Sequence, residues 1–482
     1  MKKILLAASE CVPFIKTGGL ADVVGALPMY LNRDEYDVRV VIPKYLCIPE
    51  KYRDQMEYVT HFYTYFCGRN RYVGIMRMVL NGITFYFVDN EEYFAGPYPY
   101  SNPYYDTEKF SFFSKAVLSI LPSIDFHPDI IHCNDWHVGL VPVYLRHEFS
   151  INPWYASIRS IITVHNLKFQ GVWNIEDMMR ITGFPSDLFY SGKLEAYGDS
   201  NMLKGALEFA DIITTVSPTY TEEIKTPFFG EGLHGLFWER SKDFYGILNG
   251  IDYNEWNPAT DKFIDTNFDV TNFRELKAVN KAALQKELKL PEDPDAMMIG
   301  VVSRLTEQKG FDLISRVFEE MLQDHVQFVI LGTGDYAYEE MFRYFANKYP
   351  DKVSANIYYS NELSHKIYAA CDTFLMPSLF EPCGLSQIIS LRYGTVPIVR
   401  ETGGLKDTVE QYNAEKNTGT GFSFQNYNAH EMMYKVREAE EAFKDKEHWN
   451  QMIERGMNAN FSWEASARKY EELYDMLCAK ND

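Results

Sequence analysis

The sequence has few cysteines and no long apolar run, and both shortages exclude classes of protein. Its seven cysteines are scattered through 482 residues and never form a Cys-x-x-Cys pair, so neither a disulfide framework nor a zinc ribbon is indicated. No apolar stretch approaches the roughly 18 residues of a transmembrane helix. The apolar start, MKKILLAASE, stops at Ser9 and Glu10, which favours a buried first strand of a cytoplasmic protein over a signal peptide.

Positive charge is also scarce. The chain has 47 lysines and arginines against 67 aspartates and glutamates, a formal net charge of -20. Such a chain repels nucleic acid and anionic membrane surfaces, so we expect neither as a partner. An anionic ligand would need a local cluster of cationic side chains. Hydrophobic residues make up 46% of the chain, which indicates a globular protein, and its length suits two or three domains.

Short apolar runs of strand length alternate with loops and helical patterns. They include KILLAA, YDVRVVIPKY, PDIIHCND and IITVHN in the first half, and MMIGVVSR, VQFVILGTGD, CDTFLMPS and TVPIVRETGG in the second. This alternation predicts two doubly wound α/β domains with parallel sheets. The turn signals in YGILNGIDYNEWNP mark the boundary between them. We place the domains at 1–245 and 246–457, followed by a C-terminal helix at 458–482.

One phrase, Thr-Gly-Gly-Leu-x-Asp, occurs near both ends of the chain, in KTGGLADV after Phe14-Ile15 and in RETGGLKDTV after Val399. Each copy follows a predicted strand and precedes a predicted helix, where free backbone amides can bind a ligand. The alternative for both is a tight strand-to-helix turn. Only the first copy has a lysine directly before it.

Two other strand ends carry charges suited to a sugar phosphate. VVSRLTEQKG places Arg304 and Lys309 just past a strand, and two such cations favour a phosphate-bearing ligand over a solvated loop. FEPCGL places Glu381 before a turn whose amides can bind hydroxyls or phosphate, and the carboxylate can accept from sugar hydroxyls. Cys383 has no histidine or asparagine partner pattern of a nucleophile, so we interpret it as a small side chain with a backbone donor.

A possible metal cluster is present in IHCNDWHVGL, which contains His132, Cys133, Asp135 and His137. Three ligands from one short stretch fit a tetrahedral site poorly, and we expect no metal. The one Asp-x-Asp motif, Asp293-Pro294-Asp295, lies in a linker. TVHNLKFQG adds His165 at the same sheet edge as Asp135. The aromatic loop EEYFAGPYPYSNPYYD suits stacking on sugars as well as ordinary packing.

Taken in order, these motifs, together with TTVSPTY and GILNGID, resemble the bacterial glycogen synthases and plant starch synthases from Lys3 to about Tyr474. The resemblance implies a GT-B fold, in which two Rossmann-like domains face an interdomain cleft and the last helix returns to the first domain. It implies transfer of glucose from ADP-glucose to the nonreducing end of an α-1,4-glucan. Configuration would be retained, and no metal or other cofactor would be needed.

The same resemblance implies roles for individual residues. The catalytic residues would be Lys16, Asp135, His165, Arg304, Lys309 and Glu381. The donor would be held by Gly18, Gly19, Asn249, Tyr359, Cys383, Gly384, Leu385, Thr402 and Gly403. Within these sets, Arg304 and Lys309 would grip the diphosphate and Tyr359 would stack on adenine. Tyr104 would approach the sugar from the aromatic loop.

Three positions depart from the family pattern, and at one of them Ser386 replaces a threonine and keeps its hydroxyl. Leu379 replaces a common arginine, and Ile389 stands where the family often has tyrosine, so the choice between ADP-glucose and UDP-glucose stays open. A sucrose- or trehalose-phosphate-type synthase and a catalytically silent glucan-binding homologue are alternatives, although the intact charged residues count against a silent protein. A two-domain dehydrogenase is a further alternative, but KTGGLADV lacks the Gly-x-Gly-x-x-Gly spacing that it needs.

Overall fold

A computed structural model describes residues 1–479 and divides the chain into two units. Unit 1 comprises Met1–Val216, Thr221–Ile247 and the segment from Trp463, and unit 2 comprises Ser217–Tyr220 and Leu248–Ser462. The boundaries predicted after residues 245 and 457 stand a few residues before these divisions. None of the helices in residues 1–479 combines the length and the apolar composition that crossing a membrane requires.

The strands of unit 1 share one large sheet and one small sheet. They are β1 (Lys2–Ala7), β2 (Tyr36–Pro43), β3 (Glu57–Phe66), β4 (Arg69–Leu80), β5 (Ile83–Asp89), β6 (Ile130–Asn134), β7 (Arg159–Val164), β8 (Val172–Trp173), β9 (Glu195–Ala196), β10 (Asp199–Asn201), β11 (Ile212–Thr215) and β12 (Phe244–Gly246). The large sheet has the order β12-β11-β7-β6-β1-β2-β5-β4-β3. It is parallel from β12 to β5, as predicted.

The edge of this sheet departs from the prediction. β4 pairs antiparallel with both β5 and β3, so a hairpin extends the parallel sheet. This hairpin is not predicted by continuous apolar runs, which its sequence lacks. The segment THFYTYF instead alternates exposed rings with half-buried residues, the period of a strand with one solvated face.

Helices and short turns connect the strands of unit 1. The helices are α1 (Gly19–Tyr30), α2 (Glu50–Arg53), α3 (Glu91–Phe94), α4 (Pro103–Ser119), α5 (Leu140–His147), α6 (Pro153–Ala156), α7 (Ile175–Thr182), α8 (Ser186–Tyr190), α9 (Met202–Phe209), α10 (Pro218–Glu223) and α11 (His234–Glu239). α10 begins within the four residues that belong to unit 2. β1 lies at the centre of the sheet, where Ile4, Leu5 and Leu6 are fully buried, which explains its unbroken apolar sequence.

Unit 2 alternates helices and strands along the chain. Its elements are α12 (Phe273–Glu287), β13 (Met297–Val302), α13 (Phe311–Met321), β14 (Val326–Leu331), α14 (Tyr336–Lys348), β15 (Val353–Asn356), α15 (Asn361–Ala370), β16 (Thr373–Met376), α16 (Ser386–Arg392), β17 (Val396–Arg400), α17 (Gly403–Thr408), β18 (Phe422–Phe424), α18 (Ala429–Lys444) and α19 (Lys446–Asn458). The six strands form one parallel sheet in the order β15-β14-β13-β16-β17-β18. This is the doubly wound arrangement that the sequence predicts.

The last described helix, α20 (Trp463–Ala479), belongs to unit 1. The Asp475 carboxylate pairs with Lys2 at 2.6 Å and accepts from the Tyr36 hydroxyl. The Tyr474 hydroxyl lies 2.8 Å from Nδ1 of His132 in β6. The C-terminal helix therefore packs on the same unit as the first strand.

Each sheet has one point where the strand order reverses, and ligands of such sheets bind beyond the carboxyl ends of the strands there. In unit 1 the reversal lies between β6 and β1, and in unit 2 it lies between β13 and β16. The loops that follow these four strands hold residues 8–18, 135–139, 303–310 and 377–385. Most of the predicted catalytic residues lie in these loops.

Candidate active site

Unit 2 brings Lys309 and Glu381 together at its reversal point. Lys309 ends a turn after β13, and its Nζ lies 2.5 Å from Oε2 of Glu381, which follows β16. The Ser378 hydroxyl donates to the same carboxylate oxygen at 3.1 Å. The two charged side chains are only 17% and 8% exposed. A fixed cation and a fixed carboxylate are thus adjacent where phosphate and sugar hydroxyls can both be bound.

Within residues 1–479, the side chains of Arg304 and Tyr359 form no hydrogen bond or ion pair with Lys309 or Glu381. Arg304 is exposed on the loop after β13 and forms no ion pair within residues 1–479. Tyr359 precedes α15 and is 87% exposed, so its ring is available for stacking. The structure thus leaves a free cation and a free aromatic face in unit 2, and the adenine contact of Tyr359 stays a prediction.

The turn after Glu381 holds Cys383 in a buried position. Burial raises the pKa of the Cys383 thiol to about 12, although the backbone of Asn249 hydrogen bonds to it. A thiol that stays protonated is a poor nucleophile, which agrees with the interpretation of Cys383 as a small side chain. The Asn249 Oδ1 atom is buried and has no hydrogen-bond partner in the described part of the chain. α16 begins directly after Leu385 and has no side-chain cap, so Gly384 and Leu385 adjoin open backbone amides.

The second Thr-Gly-Gly-Leu phrase packs against this turn. A Cβ on Gly403 would lie 1.9 Å from the carbonyl oxygen of Glu381, and one on Gly404 would lie 2.0 Å from that of Cys383. The φ angle of Gly403 is +45°, in the region that favours glycine. Thr402, which precedes the two glycines, is fully buried. The glycines here permit a close backbone approach that fixes the Glu381 turn.

The first copy of the phrase is open. Apart from the adjoining residues and the backbone of α1 itself, no atom of the described chain lies within 4 Å of a Cβ built on Gly18 or Gly19. α1 begins at these glycines without a side-chain cap, so its first amides lack intrahelical partners. The exposed Lys16 ammonium pairs with Asp22 of the first helical turn at 2.7 Å. A helix start with open amides and an adjacent cation suits an anion.

Asp135 and His165 meet at the ends of β6 and β7. Oδ1 of Asp135 accepts from the His165 backbone amide at 2.7 Å. Burial raises the pKa of Asp135 to about 7, although the backbone amides of His165 and Asn166 oppose this shift. Asp135 also has a φ of +61°, a strained conformation of the kind found at functional sites. The His165 Nε2 lies 2.9 Å from Oδ1 of Asn134, and burial lowers the pKa of the imidazole to about 3, so this ring is neutral.

The other residues of the possible metal cluster have separate partners. His132 lies between Thr163 and Tyr474, and the His137 ring stacks on Tyr100. Within residues 1–479, no group of three or more histidine, cysteine, aspartate or glutamate side chains is arranged to hold a metal ion. In the Asp-x-Asp motif, Asp293 accepts from the amides of the two residues 295 and 296, as a turn does.

Tyr104 lies in unit 1 at the start of α4. Its hydroxyl accepts from the Arg180 guanidinium at 3.2 Å, and its ring centroid is 5.4 Å from that of Trp173. The Tyr104 side chain remains partly exposed. The aromatic loop therefore divides its rings between packing and solvent, and the sugar contact of Tyr104 stays a prediction.

Several residues that shape the Glu381 turn were not predicted. The Arg400 guanidinium donates to the carbonyl oxygens of Ser378 and Leu379, and the Gln387 amide donates to those of Cys383 and Gly384. The Ser217 hydroxyl donates to the Pro382 carbonyl oxygen. Arg400 and Ser217 are distant in sequence from the carbonyls that they hold, so no local motif reveals these contacts. At two of the unusual positions, Leu379 contributes its carbonyl, and Ile389 packs in the apolar core of unit 2.

The chain is similar to known carbohydrate enzymes along its whole length. The profile of the starch synthase catalytic domain matches residues 3–239, and that of the group 1 glycosyl transferases matches residues 282–458. Glycogen synthases of Lachnospira eligens and Lachnoclostridium phytofermentans are 61% and 58% identical to this chain, over 99% of it and 100% of theirs.

Two solved structures resemble the fold. The catalytic domain of starch synthase IV from Arabidopsis thaliana, bound to ADP and acarbose, matches with a TM-score of 0.90 at 34% identity, over 99% of each chain. Sucrose-phosphate synthase from Thermosynechococcus elongatus matches with a TM-score of 0.63 at 18% identity, over 100% of each chain. The second likeness concerns the fold alone.

Proposed function

We propose, because this chain belongs to the glycogen synthase family of glycosyltransferases, that it transfers glucose from ADP-glucose to the nonreducing end of an α-1,4-glucan. Its fold is GT-B, with two Rossmann-like units. A nucleotide-sugar donor and a glucan acceptor accord with the glycosyltransferase domains that the chain contains. The specific donor, the retention of configuration and the independence from metal are parts of the proposal.

The observation that carries the proposal is the Lys309–Glu381 pair at the reversal point of unit 2. Phosphate oxygens of the donor would bind the Lys309 ammonium and the exposed Arg304 guanidinium, since charge-assisted hydrogen bonds from these groups suit phosphate. Glu381 would accept from hydroxyls of the glucose. In unit 1, the Lys16 ammonium and the open amides at Gly18 and Gly19 offer a second set of hydrogen-bond donors for an anion.

The reaction breaks the bond between the anomeric carbon of glucose and the diphosphate, and forms a bond to the 4-hydroxyl oxygen of the acceptor. Negative charge develops on the departing diphosphate, and fixed cations stabilise it where a metal ion would otherwise act. The proton of the attacking hydroxyl passes to an oxygen of the leaving phosphate. We therefore expect the reaction to proceed without a metal cofactor.

We favour attack on the face that the diphosphate leaves, which retains configuration, over a covalent glycosyl intermediate. Both candidate carboxylates already have partners: Glu381 is bonded to Lys309 and Ser378, and Asp135 accepts from the backbone amides of His165 and Asn166. A carboxylate with these contacts is better suited to orient sugar hydroxyls or stabilise positive charge than to attack carbon.

Two observations favour adenine as the base of the sugar-nucleotide donor. The starch synthase IV structure at 34% identity holds ADP, and the ring of Tyr359 is exposed in unit 2, where it can stack on a purine. Ile389 is buried in the apolar core and contributes no polar contact to a ribose. UDP-glucose is the alternative donor.

Nucleotide release by the purified chain tests the proposal. The enzyme is given ADP-glucose or UDP-glucose, each with and without glycogen. We expect ADP release that depends on glycogen, and products that an α-1,4-specific amylase digests. Release only from UDP-glucose would refute the donor, release that requires a sugar phosphate acceptor would favour the sucrose- or trehalose-phosphate type, and glycogen binding without release would indicate a silent homologue.

A further inference from the structure

A buried carboxylate lies directly behind the first Thr-Gly-Gly-Leu phrase. Glu10 follows β1, is 3% exposed, and accepts from the backbone amide of Thr17 through Oε2. The hydroxyls of Thr17 and Tyr100 face this carboxylate and lower its pKa, against the larger effect of burial, which raises it. The Tyr100 hydroxyl lies 2.8 Å from that of Ser9, the residue directly before Glu10. One side chain thus accepts a hydrogen bond from Thr17 and faces hydroxyls of two separate segments of unit 1.

These two segments hold residues that we expect to contact the ligand. Thr17 stands between Lys16 and Gly18, and Tyr100 lies four residues before Tyr104 in the aromatic loop. Because the Thr17 amide is bound to Glu10, the orientation of the neighbouring peptide groups is restricted. The Lys16 side chain and the open start of α1 therefore keep their direction without help from a helix cap.

The loop has other backbone supports, but they hold its earlier part. The amides of Phe14 and Ile15 both donate to the Cys11 carbonyl, and the Val12 amide donates to that of Ala21. In the later part, the Lys16 ammonium pairs with Asp22, and the bond from the Thr17 amide to Glu10 holds the backbone directly beside Lys16. A buried carboxylate is costly unless its oxygens are hydrogen bonded. Burial raises the pKa of Glu10, and the hydrogen bond from the Thr17 amide opposes that shift.

We propose that Glu10 is a positioning residue for the donor, which fixes the Lys16–Gly19 loop and couples it to the aromatic loop through Tyr100. This inference rests on the proposed function, because it takes the Lys16–Gly19 loop to bind the sugar nucleotide. Glu10 acts through Thr17 and touches neither donor nor acceptor itself.

Kinetics of Glu10→Ala and Glu10→Gln test the inference. Loss of a residue that orients a ligand-binding group typically lowers activity by about 10- to 100-fold, so we expect Glu10→Ala to lose that factor in kcat/KM for the donor. The KM for glycogen should stay unchanged. Glu10→Gln should recover part of the loss, because an amide oxygen can still accept from the Thr17 amide.

Asp129→Asn is the matched control. The Asp129 carboxylate accepts from the Lys3 backbone amide at 2.7 Å, so it also holds one end of β1, but at the edge away from the site loops. We expect this variant to lose thermal stability without losing activity. A loss of donor kcat/KM in Asp129→Asn equal to that of Glu10→Ala, or a Glu10→Ala enzyme within twofold of wild type, would overturn the inference.

Hydrogen exchange separates this inference from the proposed function. Peptides that span residues 11–19 should exchange faster in Glu10→Ala than in wild type without ligand, while peptides of β1 should not change. Unchanged exchange in residues 11–19 would refute the positioning role whatever the enzyme catalyses. A wild-type protein that releases no nucleotide from any sugar donor would instead refute the proposed function.

Discussion

Replacement of Lys309 by alanine probes the central ion pair of unit 2. The Lys309 ammonium is 2.5 Å from the Glu381 carboxylate and mostly buried, so it is held in place before the donor binds. Removal of one preorganised group that stabilises developing charge costs about 3–4 kcal/mol, which is a loss of about 100- to 1,000-fold in rate. We expect Lys309→Ala to lose kcat by that factor. Lys309→Arg should recover only part, because a planar guanidinium does not overlay an ammonium.

The same replacement also removes the partner of a buried carboxylate, which costs about 3–5 kcal/mol of folding stability. Stability and catalysis must therefore be measured separately. Lys281→Ala provides the control, since Lys281 pairs at 2.7 Å with Asp372, and both side chains are buried to a similar degree. Asp372 immediately precedes β16, so that pair lies at the end of the strand away from Glu381.

The assay is ADP release at saturating ADP-glucose and glycogen, performed well below the thermal midpoint of each variant. We expect both variants to unfold at lower temperature and only Lys309→Ala to lose kcat. A Lys309→Ala enzyme that keeps kcat within a few fold of wild type would show that Lys309 merely supports its loop. Equal loss of kcat in Lys281→Ala would show that the effect comes from destabilisation, and either result would refute the role in leaving-group stabilisation.

Three further outcomes follow from the geometry. Activity should persist in excess EDTA, and activity that is lost and then restored by magnesium or manganese would contradict the proposed cation mechanism. Gly18→Ala should leave the melting temperature unchanged and raise the KM for the donor. Gly403→Ala should lower the melting temperature, because its Cβ would collide with the Glu381 carbonyl. Similar effects of the two changes would contradict this reasoning. Folding raises the pKa of Asp135 to about 7 and so favours its protonated form. The free energy of unfolding, measured with urea, should therefore fall as the pH rises from about 4 to about 7. Asp135→Asn should reduce that fall.

Much of the fold could be predicted because central parallel strands are buried on both faces and are therefore continuously apolar. β1 and β13 illustrate this, since the last four residues of β1 and the first five of β13 are buried. The β3–β4 hairpin escaped prediction because its exposed face carries tyrosines such as Tyr63 and Tyr65. In composition these residues resemble a loop as much as a strand, and only their alternation indicates the pairing.

The candidate site could be predicted to the extent that its residues occur in short motifs. Lys309 and Glu381 were identified individually, but their contact depends on the neighbouring positions of β13 and β16 in the sheet. Glu10 and Arg400 were missed for the same reason. Each holds a backbone group by a contact that sequence spacing does not encode, and a lone glutamate or arginine more often lies on the surface than in such a role.

The two Thr-Gly-Gly-Leu phrases show most directly what the sequence alone does not predict. Both begin a helix after a strand, as predicted, yet the glycines serve different physical purposes. At Gly403 and Gly404 the missing Cβ makes room for the backbone of the Glu381 turn, whereas at Gly18 and Gly19 the space is open. The same sequence therefore permits close packing of the backbone in unit 2 and leaves the backbone accessible in unit 1. The two copies differ in the atoms that lie next to each glycine. In the second copy those atoms belong to a turn about 20 residues earlier in the chain, so the local sequence does not reveal them.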